Sequence, residues 1–102
     1  MKNSTNKEFC IMNDKPPFYR NCRFPGSERH EIFEGRTGNR DKSIQDGLVI
    51  FTTPLLHRTG KDSIHMCPSK WLWLKREGQT TWCRYYNKTI DDFRERYGRS
   101  YY

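Results

Sequence analysis

No stretch of this sequence approaches the roughly 20 consecutive apolar residues needed to cross a bilayer, and its opening, MKNSTNKEF, lacks the apolar centre of a secretory signal. The expectation is a cytoplasmic protein with no membrane partner. Hydrophobic residues are scarce, at 33% of the 102. In a chain of 12.4 kDa that excludes more than one modest core, so residues 1–102 read as a single domain. No internal repeat or low-complexity tract is present. Cysteine occurs four times and histidine three times, and no two cysteines stand at the two-residue spacing of a zinc knuckle. In a reducing compartment those cysteines are thiols or metal ligands rather than disulfides.

Aromatic residues make up 15% of the chain, so the core must be built from a few large side chains. Trp71, Trp73, Trp82, Phe33, Phe51 and Phe93 are the candidate anchors. Charge is the other surplus. Lys and Arg number 19 against 12 Asp and Glu, a formal net charge of +7 with a sequence pI of about 9.4. A domain this small and basic favours polyanions, nucleic acid first.

Along the chain, residues 1–7 are polar and expected to fray. Asn13, Asp14, Lys15, Pro16 and Pro17 form a turn, flanked by Cys10 and Cys22. Residues 29–34 alternate as a half-buried strand with Ile32 inward. Two glycines and an Asn then turn the chain, residues 40–46 suit one or two helical turns, and Gly47 ends them. Residues 48–53, reading Leu, Val, Ile, Phe, Thr, Thr, are the clearest strand, stopped by Pro54. From Pro68 a helical stripe of Trp71, Leu74, Lys75, Gly78, Trp82, Tyr85 and Tyr86 takes over, with Gly78 marking a bend. Thr89 with Asp91 and Asp92 starts a last helix carrying Ile90, Phe93 and Tyr97, which Gly98 ends.

All three histidines fall within residues 30–65. Imidazole can carry a proton near neutral pH or bind a transition metal, so their concentration in one segment suggests a site. Pairing the two strands as an antiparallel hairpin returns His57 to the neighbourhood of His30, and a turn at Gly60 must bring His57 and His65 together. The chemistry this suits is one-metal hydrolysis of a phosphodiester. His30 is the expected base that deprotonates water, and His57 and His65 hold a divalent ion, Mg²⁺ or similar, with Glu31 adding a carboxylate. Arg36, Arg40, Lys42, Arg58 and Lys61 crowd the same segment and are expected to grip phosphates.

The run HEIFEGRTGNRDKSIQDGLVIFTTPLLHRTGKDSIH, with the ending Tyr97, Gly98, Arg99, Ser100, Tyr101, resembles small HNH-type proteins of phages and prophages of Gram-positive bacteria. The likeness covers about 70 residues. It implies a ββα-metal nuclease fold and DNA as substrate, with His30 as the strand histidine, His57 as the turn histidine and His65 as the later one. It also suggests a structural Zn²⁺ at Cys10 and Cys22, where such proteins often carry a cysteine pair. This chain departs in having Glu31 where a second His is common, Leu56 before His57 where a His pair is common, Thr53 in place of a cysteine, and no clear central Asn near Gly47.

The expected architecture is α+β: residues 1–28 a loop or zinc knuckle, 29–66 an antiparallel hairpin forming the ββα-metal core, and 67–102 C-terminal helices and tail. The expected function is a metal-dependent HNH-like endonuclease acting on DNA. The alternatives are a non-cleaving DNA-binding module and a phage recombination accessory protein.

Overall fold

A run of β-branched and aromatic side chains, Val49–Thr52 (β2), forms the more buried strand of the sheet, and all four of its residues are buried. It pairs antiparallel with Glu28–Glu31 (β1) in the register Glu28 to Thr52, Arg29 to Phe51, His30 to Ile50 and Glu31 to Val49. On its other edge Arg20 and Phe51 exchange both backbone hydrogen bonds, at 2.8 and 2.9 Å, so β2 is clasped from both sides. The computed structural model describes residues 8–14, 19–35 and 38–102. The expected fraying of 1–7, the prolines Pro16 and Pro17, and Arg36 lie outside them.

The hairpin connection holds a helix, Asn39–Asp46 (α1), set between Gly38 and Gly47, both left-handed at φ 84° and 80°. Gly47 has a second reason to be glycine: a Cβ there would meet Ile11 and Phe9 side-chain carbons at 3.0 Å. Ser43, buried on α1, donates its hydroxyl to the Leu48 carbonyl and accepts from the Phe33 amide. One side chain thus ties α1 to the chain leaving β1 and the chain entering β2.

A π-type turn, Leu55–Thr59, follows Pro54. Then comes Pro68–Tyr86 (α2), with proline in its first turn, where the missing N–H has no helical acceptor to lose. The expected bend at Gly78 does not interrupt α2. Gly78 lies instead against the core, where a Cβ would stand 3.0 Å from the Phe33 ring and 3.1 Å from Ile32. Ile90–Tyr97 (α3) begins with a reciprocal cap: Asp92 N–H donates to Thr89 Oγ1 and Thr89 N–H to the Asp92 carboxylate. Gly98 ends it as expected.

The core is largely aromatic. The Phe33 ring sits 5.2, 4.9 and 5.4 Å from those of Phe93, Tyr97 and Tyr101, and Trp82 packs on Phe93 and Tyr97. Of the expected anchors, Phe33, Phe51, Phe93 and Trp82 are buried and Trp71 half-buried, but Trp73 is 40% exposed. Tyr85, expected on the inner face of α2, is also outside. The result is an α+β protein with a two-stranded antiparallel sheet and flanking helices. None of the described helices is long and apolar enough to cross a membrane.

Beneath α3 the buried Asp46 carboxylate of α1 gathers donors from α2 and α3. It accepts from Trp82 Nε1 at 2.8 Å, Tyr97 Oη at 2.7 Å, and Arg96 at 2.6 and 2.9 Å. Donors converging on one anion make a satisfied junction between α1, α2 and α3.

Candidate metal centre

Alternation along β1 puts residues 28 and 30 on one face and residues 29 and 31 on the other. His30 therefore points inward, 3% exposed, toward the segment that follows β2. The π-type turn aims His57 back at it. The loop beyond is closed by backbone bonds from Ile64 N–H to Leu56 O and from His65 N–H to His57 O, so the eight residues separating His57 from His65 are folded back on themselves. Gly60 makes the expected turn at a standard extended φ. Its requirement for glycine is space, since a Cβ would stand 2.7 Å from the Leu55 carbonyl.

The three imidazoles converge. His30 Nδ1 is 3.1 Å from His57 Nε2, which is also 3.1 Å from His65 Nε2, and one ring nitrogen from each lies within 4.8 Å of the others. Ligands about 2.0–2.1 Å from a tetrahedral ion stand roughly 3.3 Å apart, close to the two 3.1 Å separations at His57 Nε2. The centre runs from buried His30 through half-buried His57 to exposed His65.

Proton bookkeeping points the same way. The other nitrogen of His57, Nδ1, lies 2.8 Å from Glu28 Oε1, and Arg58 Nη2 lies 2.9 Å from Glu28 Oε2. A carboxylate on Nδ1 fixes the proton there and turns the Nε2 lone pair inward, the arrangement that prepares histidine for a metal. That single lone pair then faces two further ring nitrogens, more than one hydrogen bond can satisfy. A cation among the three would engage each lone pair. His30, Glu28 and His65 are tuned accordingly. Burial, then the neighbouring imidazoles and Lys75, push His30 down to about 2. Burial and then His57 lower His65, while the bonds from His57 and Arg58 hold the Glu28 carboxyl below its usual value. His30 and His65 are thus favoured as neutral rings, the form that ligates. The group His30, His57 and His65 could hold a metal ion.

Other expected residues lie elsewhere. Glu31 does not join the cluster: its carboxylate faces Arg29 at 2.8 Å and Arg40 at 3.5 Å across the opposite side of β1. The carboxylate beside the histidines is Glu28, missed because adjacency in sequence was weighed above the period of two that sorts strand faces. Arg58 is at the site through Glu28, and Lys61 is exposed in the loop between His57 and His65. Lys42 is turned away, donating to the Arg96 carbonyl at 2.8 Å. Cys10 and Cys22 are free thiols. Cys10 donates to the Val49 carbonyl at 3.0 Å, burial raises its thiol, and no third donor gathers with the pair among the described residues. The expected zinc knuckle is not formed there.

Lys75 was read only as part of a helical stripe. Its ammonium is buried, donates to the Ile32 carbonyl and pairs with Glu34 at 2.6 Å, and the Trp71 ring covers it at 4.4 Å. No protein family, curated protein or solved structure matches this chain.

Proposed function

We propose that the chain is a metal-dependent phosphodiesterase with an HNH-like ββα-metal core, acting on DNA. The observation that carries this reading is the three-imidazole cluster reaching from the interior to the surface. Structural zinc sites are usually closed by four protein ligands, whereas catalytic ones keep three and leave a position open. The second support is the cationic character of the chain, with Arg58 and Lys61 beside the cluster as phosphate contacts.

On this reading His30 is a ligand together with His57 and His65. Its ring is enclosed and its Nδ1 faces the shared position, which leaves no path for it to take a proton from water as the expected free base. Three imidazole nitrogens suit zinc, nickel, copper or iron better than Mg²⁺, which prefers an octahedron of oxygens. When bound, such an ion supplies positive charge that polarises a phosphoryl oxygen and eases the deprotonation of water. Glu28 holds His57 in the ligating tautomer, and Arg58 keeps Glu28 ionised and in place. The exposed side at His65 admits the scissile phosphate.

Supercoiled plasmid incubated with Zn²⁺, Ni²⁺, Mn²⁺ or Mg²⁺ in turn tests this. The expected result is nicking with a transition metal, abolished by EDTA and by His65→Ala, together with loss of the bound ion from His65→Ala. His65 is exposed, so this substitution leaves the core intact. DNA binding without nicking by the metal-loaded protein would establish the non-cleaving module instead.

A further inference from the structure

We propose that the cleft lined by Cys67, Ser69, Lys70 and Trp73 receives the base of an unpaired nucleotide next to the phosphate held at the metal centre. This rests on the phosphodiesterase reading and adds a substrate preference: strands with unstacked bases over uninterrupted duplex.

The cleft, about 430 Å³ with mostly apolar walls, opens at the start of α2. Its indole is the exception among the tryptophans. Trp82 is 5% exposed and Trp71 half-buried, whereas Trp73 is 40% exposed. A large aromatic ring is thus partly open to solvent at the cleft. Met66, between His65 and Cys67 in the chain, is also exposed. The Cα atoms of His65 and Cys67, two residues apart, are at most about 7 Å from one another, so cleft and metal centre are neighbours on the scale of one nucleotide.

The chemistry of the lining selects the occupant. An apolar slot beside Lys70, whose ammonium donates to the neutral Asp62 carbonyl and keeps its charge, in a chain of net charge +7, matches a nucleobase carrying its own phosphate. Stacking on an aromatic ring is open to any base because each has a π-face. An apolar peptide would fill the slot but would gain nothing from the surrounding positive charge. Within a duplex both faces of each base are covered by their neighbours, so only an unpaired or extruded base can enter.

The test uses the full metal-loaded chain, a single-stranded DNA 12-mer carrying 2-aminopurine, and a hairpin duplex of the same sequence. Wild type is expected to quench the 2-aminopurine and to bind the single strand more tightly than the hairpin. Trp73→Ala should weaken single-strand binding about tenfold, the scale of one lost base stack, with an unchanged thermal midpoint. Trp73→Phe, which keeps a ring, should retain most of the affinity. Wild-type affinity in Trp73→Ala, or a wild-type preference for duplex, would overturn the proposal, and intact metal-dependent plasmid nicking in the same preparation would leave the phosphodiesterase standing. A wild type that neither binds nor nicks DNA would remove both.

Discussion

The polar clusters around Asp46 and around His57 differ in whether their hydrogen-bonding capacity is met. Around Asp46, the carboxylate is saturated by donors from Trp82, Tyr97 and Arg96. Around His57, a single lone pair faces two other ring nitrogens, more contacts than one hydrogen bond can satisfy. The first arrangement has nothing left to offer a ligand, so its work is to hold three helices together. The second is complete only when something else enters. Perturbed polar residues occur in both clusters, and it is the balance of donors and acceptors that separates architecture from site.

The sharpest way to break this contrast is Asp46→Ala. It strips the partner from the part-buried Arg96 guanidinium and leaves the buried Trp82 and Tyr97 donors unmet, so urea denaturation should show a loss of about 2–5 kcal/mol. The folded fraction should still bind metal with wild-type affinity. Equal damage to metal binding would mean that the two clusters are not independent.

Glu28→Gln should act in the opposite sense, with little effect on the stability of the metal-free protein. A neutral amide no longer enforces the His57 tautomer, so affinity for Zn²⁺, read by competition with a chromogenic chelator, should fall about 10- to 100-fold. Glu31→Gln, on the other face of β1, should leave it unchanged.

The smallest effect is a slope against pH in the metal-free protein. His30 is held down to about 2 in the fold, against about 6.5 in an unfolded chain. Between those values the unfolded state binds the extra proton, so stability is full above about pH 6.5 and falls as the medium becomes more acid. The change is up to about 1.4 kcal/mol per pH unit for one proton. His65, lowered as well, adds to it with the same sign. Urea titrations in EDTA between pH 7 and 5, above the usual carboxylate range, should show this fall, and His30→Gln should flatten it.

Much of the scaffold was legible before any coordinates, because local chemistry and tertiary demand agree. Residues 48–53 contain the strand that their β-branched run implies, Thr89 caps α3, and Gly47 and Gly98 end helices with positive φ. The meeting of His30, His57 and His65 was legible from strand pairing and a turn. What escaped was decided by facing and distance rather than by residue type. Glu31 was preferred over Glu28 although the two point to opposite sides of one strand. Lys42 was counted with the loop cations, but α1 carries its ammonium to the end of α3. Gly78 read as weakness in a helix, whereas it is the place where α2 comes close enough to rest on Phe33 and Ile32.

The double clasp on β2 carries its own consequence for heat and denaturant. Sliding β1 by one position would swing the innermost imidazole out to solvent and bring Arg29 inward, yet β2 is paired with β1 on one edge and bonded through Phe51 to Arg20 on the other, and Ile50, opposite His30, is wholly buried. Such a slide requires dismantling the interior strand itself. The reactive geometry is therefore expected to vanish in the same cooperative transition as the hydrophobic interior, not to loosen ahead of it.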